Sequence, residues 1–259
     1  MKEILRYEHV DIAYDGKTMV QDMNISLKEG EIIGIVGESG SGKSSLLKAA
    51  MRILGTGGMV TKGAIWYGDV NLTEASEATI RKINGAEIAM VFQNAGSSFC
   101  PIRTVGDQLY EFMKEHQRIT KKEFQSQAKE LLYKLGFEDA EKILRSYPFE
   151  LSGGMQQRIG VAAAMLLHPK VLLADEPTSA LDVFVQKQVI EELLKAREIF
   201  GTSILLVTHN IGLVRAMADE VMVMKDGRMV EYGRCQDVLE HPKEAYTKKL
   251  MEAVPRLKR

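Results

Sequence analysis

Cysteine is scarce in this chain. Only Cys100 and Cys235 occur in 259 residues, far apart and without C-x-x-C spacing. That excludes a disulfide framework or a zinc ribbon and predicts two reduced thiols. The five histidines (His9, His116, His168, His209, His241) show no ligand spacing, so no metal is expected beyond one that arrives with a ligand. Basic excess is missing too. Lys and Arg number 34 against 35 Asp and Glu, for a net charge of −1, which gives no field to attract a nucleic-acid partner. The longest uncharged apolar run in the middle of the chain, Val161–Leu167, is far too short to cross a bilayer. The opening MKEILRYEHV carries charges every few residues, unlike a signal peptide. There are no internal repeats and no low-complexity tracts. These absences predict a soluble, intracellular protein that works at a membrane only if a partner holds it there. At 45% hydrophobic, the chain can bury a sizeable core as one large domain or two small ones.

What is present is organised around residues 31–48, EIIGIVGESGSGKSSLLK. The β-branched run Ile32, Ile33, Ile35, Val36 reads as a buried parallel strand. It breaks into a glycine turn (Gly37, Gly40, Gly42), and a helical spacing begins at Lys43. This is G-x-x-x-x-G-K-S with a strand before it and a helix after, the context in which the motif cradles a di- or triphosphate. Lys43 would reach the β- and γ-phosphates, and the Ser44 hydroxyl would sit on Mg²⁺.

Short alternating runs in residues 2–30, broken at Asp15-Gly16, predict antiparallel strands. A helix is expected from Lys43 to about Leu54, ended by Gly55, then a strand pair over 64–72 turning at Gly68-Asp69 and a buried strand over 87–92. Residues 94–106 read as a polar loop, followed by helical patterns at about 106–117, 121–136 and 138–146. Strands VLLAD (171–175) and SILLV (203–207) alternate with helices at about 183–199 and 210–218. A hairpin turning at Asp226-Gly227 closes the core. Alternating strands and helices imply a parallel sheet with right-handed crossovers. The predicted class is α/β, a P-loop NTPase (RecA-like) core with an N-terminal antiparallel β subdomain and an inserted α-helical subdomain. The expected bounds are 1–93 and 168–235 for the core, 94–167 for the insert and 236–259 for a charged, helical tail.

Other chemistry-bearing positions fall at strand ends and helix starts. Asp175 and Glu176 end the apolar strand VLLADE at the sheet edge where doubly wound folds keep their ligands. Asp175 would hold Mg²⁺ through water, and Glu176 could take a proton from water attacking the γ-phosphate. The same pair would also suit a helix N-terminus. His209 ends the next core strand, as a structural hydrogen-bonder or a γ-phosphate contact. Gln93, at another strand end, either orients water or completes the Mg²⁺ shell, or is a solvated loop residue. In LSGGMQQR (151–158) Ser152 reads as an N-cap. Gly153 and Gly154 in a first turn are unfavourable for the helix, which argues for something approaching the backbone closely, such as a phosphate.

GESGSGKS (37–44), Gln93, LSGGMQQR, VLLADE, SALD (179–182) and His209, in this order, resemble the motif series of ATP-binding cassette (ABC) ATPases over nearly the whole chain. The resemblance implies ATP with Mg²⁺. Tyr14 would stack on adenine, although strand packing also accounts for an aromatic there. Gly37–Ser45, including Ser39, Gly40, Gly42, Lys43, Ser44 and Ser45, would be the phosphate loop. Gln93 would be the Q-loop, and Ser152, Gly153 and Gly154 the signature. Asp175 and Glu176 would be Mg²⁺ site and catalytic base, Asp182 the D-loop and His209 the switch histidine. The family further implies a head-to-tail dimer with an identical or related cassette, each phosphate loop facing the partner's Ser152–Gly154.

With no fused membrane helices, coiled-coil insert or second cassette, the chain resembles an importer subunit. Such a subunit sits peripherally on the cytoplasmic face of the cell (inner) membrane, docked through the Gln93 loop and residues 94–110 onto separate permease subunits. An extracytoplasmic solute-binding protein is an indirect partner. YPFELSGGMQQR, DEPTSALDV and HPKEAYTKKLMEAVP are similar to the peptide/nickel group. Ending at Arg259 without a cysteine-containing extension, the chain is expected to serve nickel or a metal chelate rather than di- or oligopeptides. A non-transport P-loop enzyme such as a small-molecule kinase is the competing class. Departures from the family pattern are Met155 in the signature, NAGSSFCP (94–101) after the Q-loop, and Asn210 where aspartate is common.

Overall fold

The computed structural model describes residues 2–253, so 254–259 of the expected tail lie outside the described residues. The chain forms two compact units, one of Met1–Ile80, Leu173–Asp175 and Ser203–Arg259, the other of Arg81–Leu172 and Glu176–Thr202.

In the first unit, β1 (Glu3–Tyr14) and β2 (Lys17–Lys28) form an antiparallel hairpin. Its turn residues Asp15 and Gly16 both have positive φ, 49° and 78°, the two-residue turn whose twist suits a hairpin. β4 (Gly58–Tyr67) pairs with the other side of β1 and is followed by β5 (Val70–Asn71), giving the order β2-β1-β4-β5. Leu5, Tyr7, Val10 and Ile12 of β1 are buried. The Tyr7 hydroxyl donates to the Leu46 carbonyl at 2.8 Å, which ties this sheet to α1 (Lys43–Ala50).

β3 (Ile32–Gly37) is buried at every residue, as its unbroken apolar run predicts. It lies parallel to β8 (Ser203–Val207) on one side and β9 (Glu220–Lys225) on the other. With β10 (Arg228–Arg234) and β7 (Val171–Asp175) the order is β10-β9-β3-β8-β7. The β9–β10 turn has positive φ at Asp226 and Gly227, as expected. Behind this sheet, Val36, Val221 and Val223 pack with residues of α8 (Ile211–Met217), α9 (Cys235–Glu240) and α10 (Ala245–Glu252). Asn210 caps α8, accepting the Leu213 N–H at 3.2 Å, so amide serves where aspartate is common.

α1 is shorter than the sequence suggests. Arg52 takes a left-handed φ of 55°, and the Arg52 and Ile53 N–H groups donate back to Ala49 and Lys48 at 3.1 and 3.0 Å. This is a Schellman closure with arginine in the seat glycine usually takes, so the helix ends before Gly55 rather than at it. A short helix that the periodicity did not reveal, α2 (Glu77–Ile83), carries the chain out of the unit.

The second unit holds β6 (Ile88–Val91), beside the start of β7, with the Lys170 and Val171 N–H groups both donating to the Glu87 carbonyl. Its helices are α3 (Val105–His116), α4 (Lys121–Leu135), α5 (Ala140–Arg145), α6 (Gly153–Ala164) and α7 (Val183–Phe200). Each starts on a side-chain cap: Thr104, Thr120, Asp139, Ser152 and Asp182. Such caps satisfy amide groups that a helix start leaves without partners. Both cysteines are free, Cys100 exposed and Cys235 buried. Among the described residues no helix is long and apolar enough to cross a membrane.

Candidate nucleotide-binding site

The phosphate loop leaves β3 at Gly37, whose φ is 150° and where an added Cβ would lie 2.1 Å from the Met224 carbonyl. No other residue fits, because backbone rather than a movable side chain fills the space. Gly42 ends the loop at φ 90°, with its would-be Cβ 2.5 Å from Val20. Gly42 is also the N-cap of α1, and no side chain caps that helix, unlike the five caps of the second unit. An uncapped N-terminus with its positive dipole end is what an anion needs. Ser39 and Gly40 are exposed at the loop's crown.

Lys43 is buried, and its ammonium rests on the loop's own carbonyls, Gly37 at 2.9 Å and Glu38 at 2.7 Å. Ser41, which sequence reasoning passed over, is buried with its hydroxyl 3.5 Å from the same nitrogen. The next side chain, Ser44, donates to Asp175 at 2.7 Å across 131 positions of sequence. A hydroxyl and a carboxylate side by side are hard oxygen donors of the kind Mg²⁺ takes, so this pair would suit that ion. Among the described residues no group of three His, Cys, Asp or Glu side chains could hold a metal alone, so such an ion would take its remaining ligands from nucleotide and water. The Tyr14 hydroxyl lies 3.2 Å from the Ser45 hydroxyl, placing the ring at the flank of the loop. His209 follows β8, and the Thr208 N–H donates to the Ile35 carbonyl at 3.1 Å. The histidine therefore stands at the same sheet edge as Gly37.

The second unit holds the other expected residues, and its chain packing explains several of them. Ser152 caps α6, accepting the Met155 N–H at 3.2 Å. Gly153 has open space where its Cβ would be, whereas one on Gly154 would meet Val185 of α7 at 2.8 Å. Glycine at 154 thus lets two helices approach within this unit, while the space beside 153 is open. Gln93 is exposed on a loop held by Gln157, which sequence reasoning did not single out. Gln157 is buried, accepts the Ala95 N–H at 2.9 Å and donates to the Phe92 carbonyl at 3.1 Å. One amide therefore grips the loop on both sides of Gln93. Asp182 caps α7, accepting the Val185 N–H at 2.9 Å. Gln186, also missed, donates to the Thr178 and Leu181 carbonyls at 3.3 and 3.1 Å. Glu176 (φ 49°) and Ala180 (φ 59°) take left-handed backbone conformations. Non-glycine residues adopt these at a cost of order 1–3 kcal/mol, and they cluster at functional sites.

Arg158 of the signature helix is buried against Glu192 of α7, the two in direct hydrogen-bonded contact, with the guanidinium 4.3 Å from the Phe137 ring centroid. The other Glu192 oxygen, Oε2, is buried without a hydrogen bond. Burial outweighs the pull of Arg158 and raises the Glu192 carboxyl from 4.5 to about 7. A group that binds its proton more tightly when folded favours the fold below its unfolded pKa and loses that contribution as pH rises through the folded value. Thermal midpoints should therefore fall between about pH 5 and pH 8. Glu192→Gln should flatten that slope in melting experiments, and an unchanged slope would assign the titration elsewhere.

A glycine cradle closing a buried parallel strand, an uncapped helix start and a serine–aspartate pair beside it define a P-loop nucleoside triphosphatase core. A profile of the ABC transporter family matches residues 20–179. The chain is 41% identical over 240 residues to an oligopeptide transport ATP-binding protein, OppD, of Haemophilus influenzae, covering 93% of this chain and 74% of that protein. It is 37% identical over 250 residues to the metal-staphylopine import system ATP-binding protein CntD of Staphylococcus aureus, covering 96% and 92%. Among solved structures, the ATP-binding cassette MJ0796, in a dimeric post-hydrolysis state bound to ADP and Pi, superposes with a TM-score of 0.78 at 27% identity, covering 90% and 99%. CbiO1 of Clostridium perfringens, part of the ABC transporter complex cbiONQ, gives 0.81 at 27%, covering 93% and 92%. The chain belongs to the ABC transporter family. It is an ATP-binding, ATP-hydrolysing cassette.

Proposed function

We propose that this chain is the motor subunit of an importer that takes up nickel or a metal chelate through separate membrane permease subunits, working peripherally on the cytoplasmic face of the inner membrane. The observation that carries the motor reading is the parked Lys43 ammonium beside the Ser44–Asp175 pair. Phosphate oxygens would take Lys43 from neutral carbonyls, and Ser44 and Asp175 would hold Mg²⁺, with Gln93 completing its shell. Bound Mg²⁺ neutralises charge on the β- and γ-phosphates. Glu176 accepts the proton of the attacking water, His209 contacts the γ-phosphate, and Tyr14 stacks on the base.

A second cassette, identical or related, supplies what one copy lacks. The open Gly153 position at the capped start of α6 suits a phosphate held by another subunit. A small-molecule kinase would have no use for it. ATP binding closes such a dimer because the γ-phosphate bridges Lys43 of one subunit and Ser152 of the other, and its loss on hydrolysis reopens it. Ile102 is 82% exposed in the stretch after Gln93, the segment that would dock on the permease; a solute-binding protein acts only through that permease.

The solute rests on the relatives. Nickel or a metal chelate is supported by the likeness to the metal-staphylopine protein along nearly the full length of both chains. Di- or oligopeptides are the second reading, favoured by the higher identity to the oligopeptide protein. The test is uptake of labelled nickel, a nickel chelate and a tripeptide in cells carrying either the parent chain or a Lys43→Met form. Selective loss of nickel or chelate uptake is the expected result. Selective loss of peptide uptake would transfer the assignment to the second reading, and no loss of any would remove the transport function.

A further inference from the structure

The C-terminal segment, in which the sequence shows no chemical motif, reaches the phosphate loop. Tyr246 of α10 accepts the backbone N–H of Glu38 at 3.2 Å, across 208 positions of sequence. The phenol oxygen is thus an acceptor from the loop amide. Burial pushes the Tyr246 pKa upward and the nearby Glu38 carboxylate pushes it the same way, so the phenol stays protonated. Lys225 lies 5.2 Å from the centroid of the same ring.

α10 is firmly seated. Met251 belongs to the buried cluster behind β3, and Tyr246 and Leu250 pack against it. Just before the helix, the Lys243 and Glu244 N–H groups donate to the Glu231 carboxylate of β10 at 2.8 and 3.2 Å. Glu38 in turn accepts the Lys43 ammonium on its carbonyl at 2.7 Å. One loop residue therefore joins the tail to the lysine that must reach a triphosphate.

Glu38 is an anion at the second position of a loop built to hold a polyanion. Turned toward the cradle it would repel phosphate, and turned toward α10 it does not. We propose that Tyr246 is a positioning residue for ATP: it holds the Glu38 peptide in place and keeps its carboxylate turned to the tail, away from the phosphates. The proposal rests on the phosphate loop binding ATP and is independent of the transported solute.

Tyr246→Phe removes the hydroxyl and keeps the ring that packs on the cluster. ATP titrations of the full chain should show affinity weakened about three- to tenfold, the scale of one hydrogen bond plus a freed charge. Two further readouts separate positioning from packing. Adding Glu38→Gln to Tyr246→Phe should return affinity to within about twofold of Glu38→Gln alone, a coupling that a double-mutant cycle isolates. Raising salt to about 0.5 M should shrink the Tyr246→Phe deficit, because only a charge effect is screened. Affinity of Tyr246→Phe within about twofold of the parent would overturn the proposal. So would a deficit that survives both the second substitution and high salt. Failure of the parent itself to bind ATP would instead remove the nucleotide-binding reading.

Discussion

Replacing Lys43 by methionine will weaken ATP binding about 100-fold and abolish measurable hydrolysis. The magnitude follows from an exchange rather than a simple loss. In the structure the ammonium donates to two neutral carbonyls, at 2.9 and 2.7 Å. Binding would replace these by contacts to charged phosphate oxygens, and hydrogen bonds between charged groups contribute about 1.5–3 kcal/mol each against about 1 for neutral ones. The difference over two contacts is near the ~2.7 kcal/mol that 100-fold represents. Methionine keeps the buried aliphatic stem, so the melting point without nucleotide should change little beyond what two released carbonyls cost. Isothermal titration with ATP measures the effect. A variant that binds ATP within about threefold of the parent would show that backbone amides alone carry the phosphates.

Glu176→Gln should lower ATP turnover by about 10²- to 10³-fold while leaving ATP affinity nearly intact, the signature of a lost general base. It should also let ATP-bound dimers accumulate, since the step that reopens them is blocked. Phosphate-release assays and size-exclusion chromatography with ATP give the two readings. Glu176 sits at a left-handed φ of 49° directly after the buried strand residue Asp175. Glutamine has the same size and chain length as glutamate, so the substitution should leave this backbone conformation in place. Unchanged turnover in the assembled complex would take the base assignment away from Glu176.

Much of the fold was legible because its signals are local. β3 and β8 are unbroken apolar runs and are buried at every residue. The two hairpins turn at Asp-Gly pairs, which adopt positive φ cheaply. Thr120 and Glu123 form a full capping box at the start of α4, and Ser152 caps α6 as its residue type suggests. The errors are equally physical. α1 stops at Ala50 because Arg52 accepts a left-handed conformation, a choice made by the closing hydrogen bonds that no propensity scale foresees. At Gly154 Val185 occupies the space a side chain would need, a packing reason for glycine that the sequence does not display. Gln157 and Gln186 gave no warning at all, since a glutamine in an amphipathic helix reads as surface until the loop it grips is in view.

The sequence by itself determined the kind of chemistry. Glycines at 37 and 42, a lysine and a serine in succession, and an acidic pair closing a strand are sufficient to specify a nucleotide cradle, because backbone conformation and helix starts depend on adjacent residues. Only the tertiary structure decided which distant groups complete it. Ser44 meets Asp175, Gln157 holds the Gln93 loop, and Tyr246 reaches Glu38. Each pairing depends on how sheets and helices pack. A polar side chain carries no record of its partner until burial forces every donor and acceptor to find one.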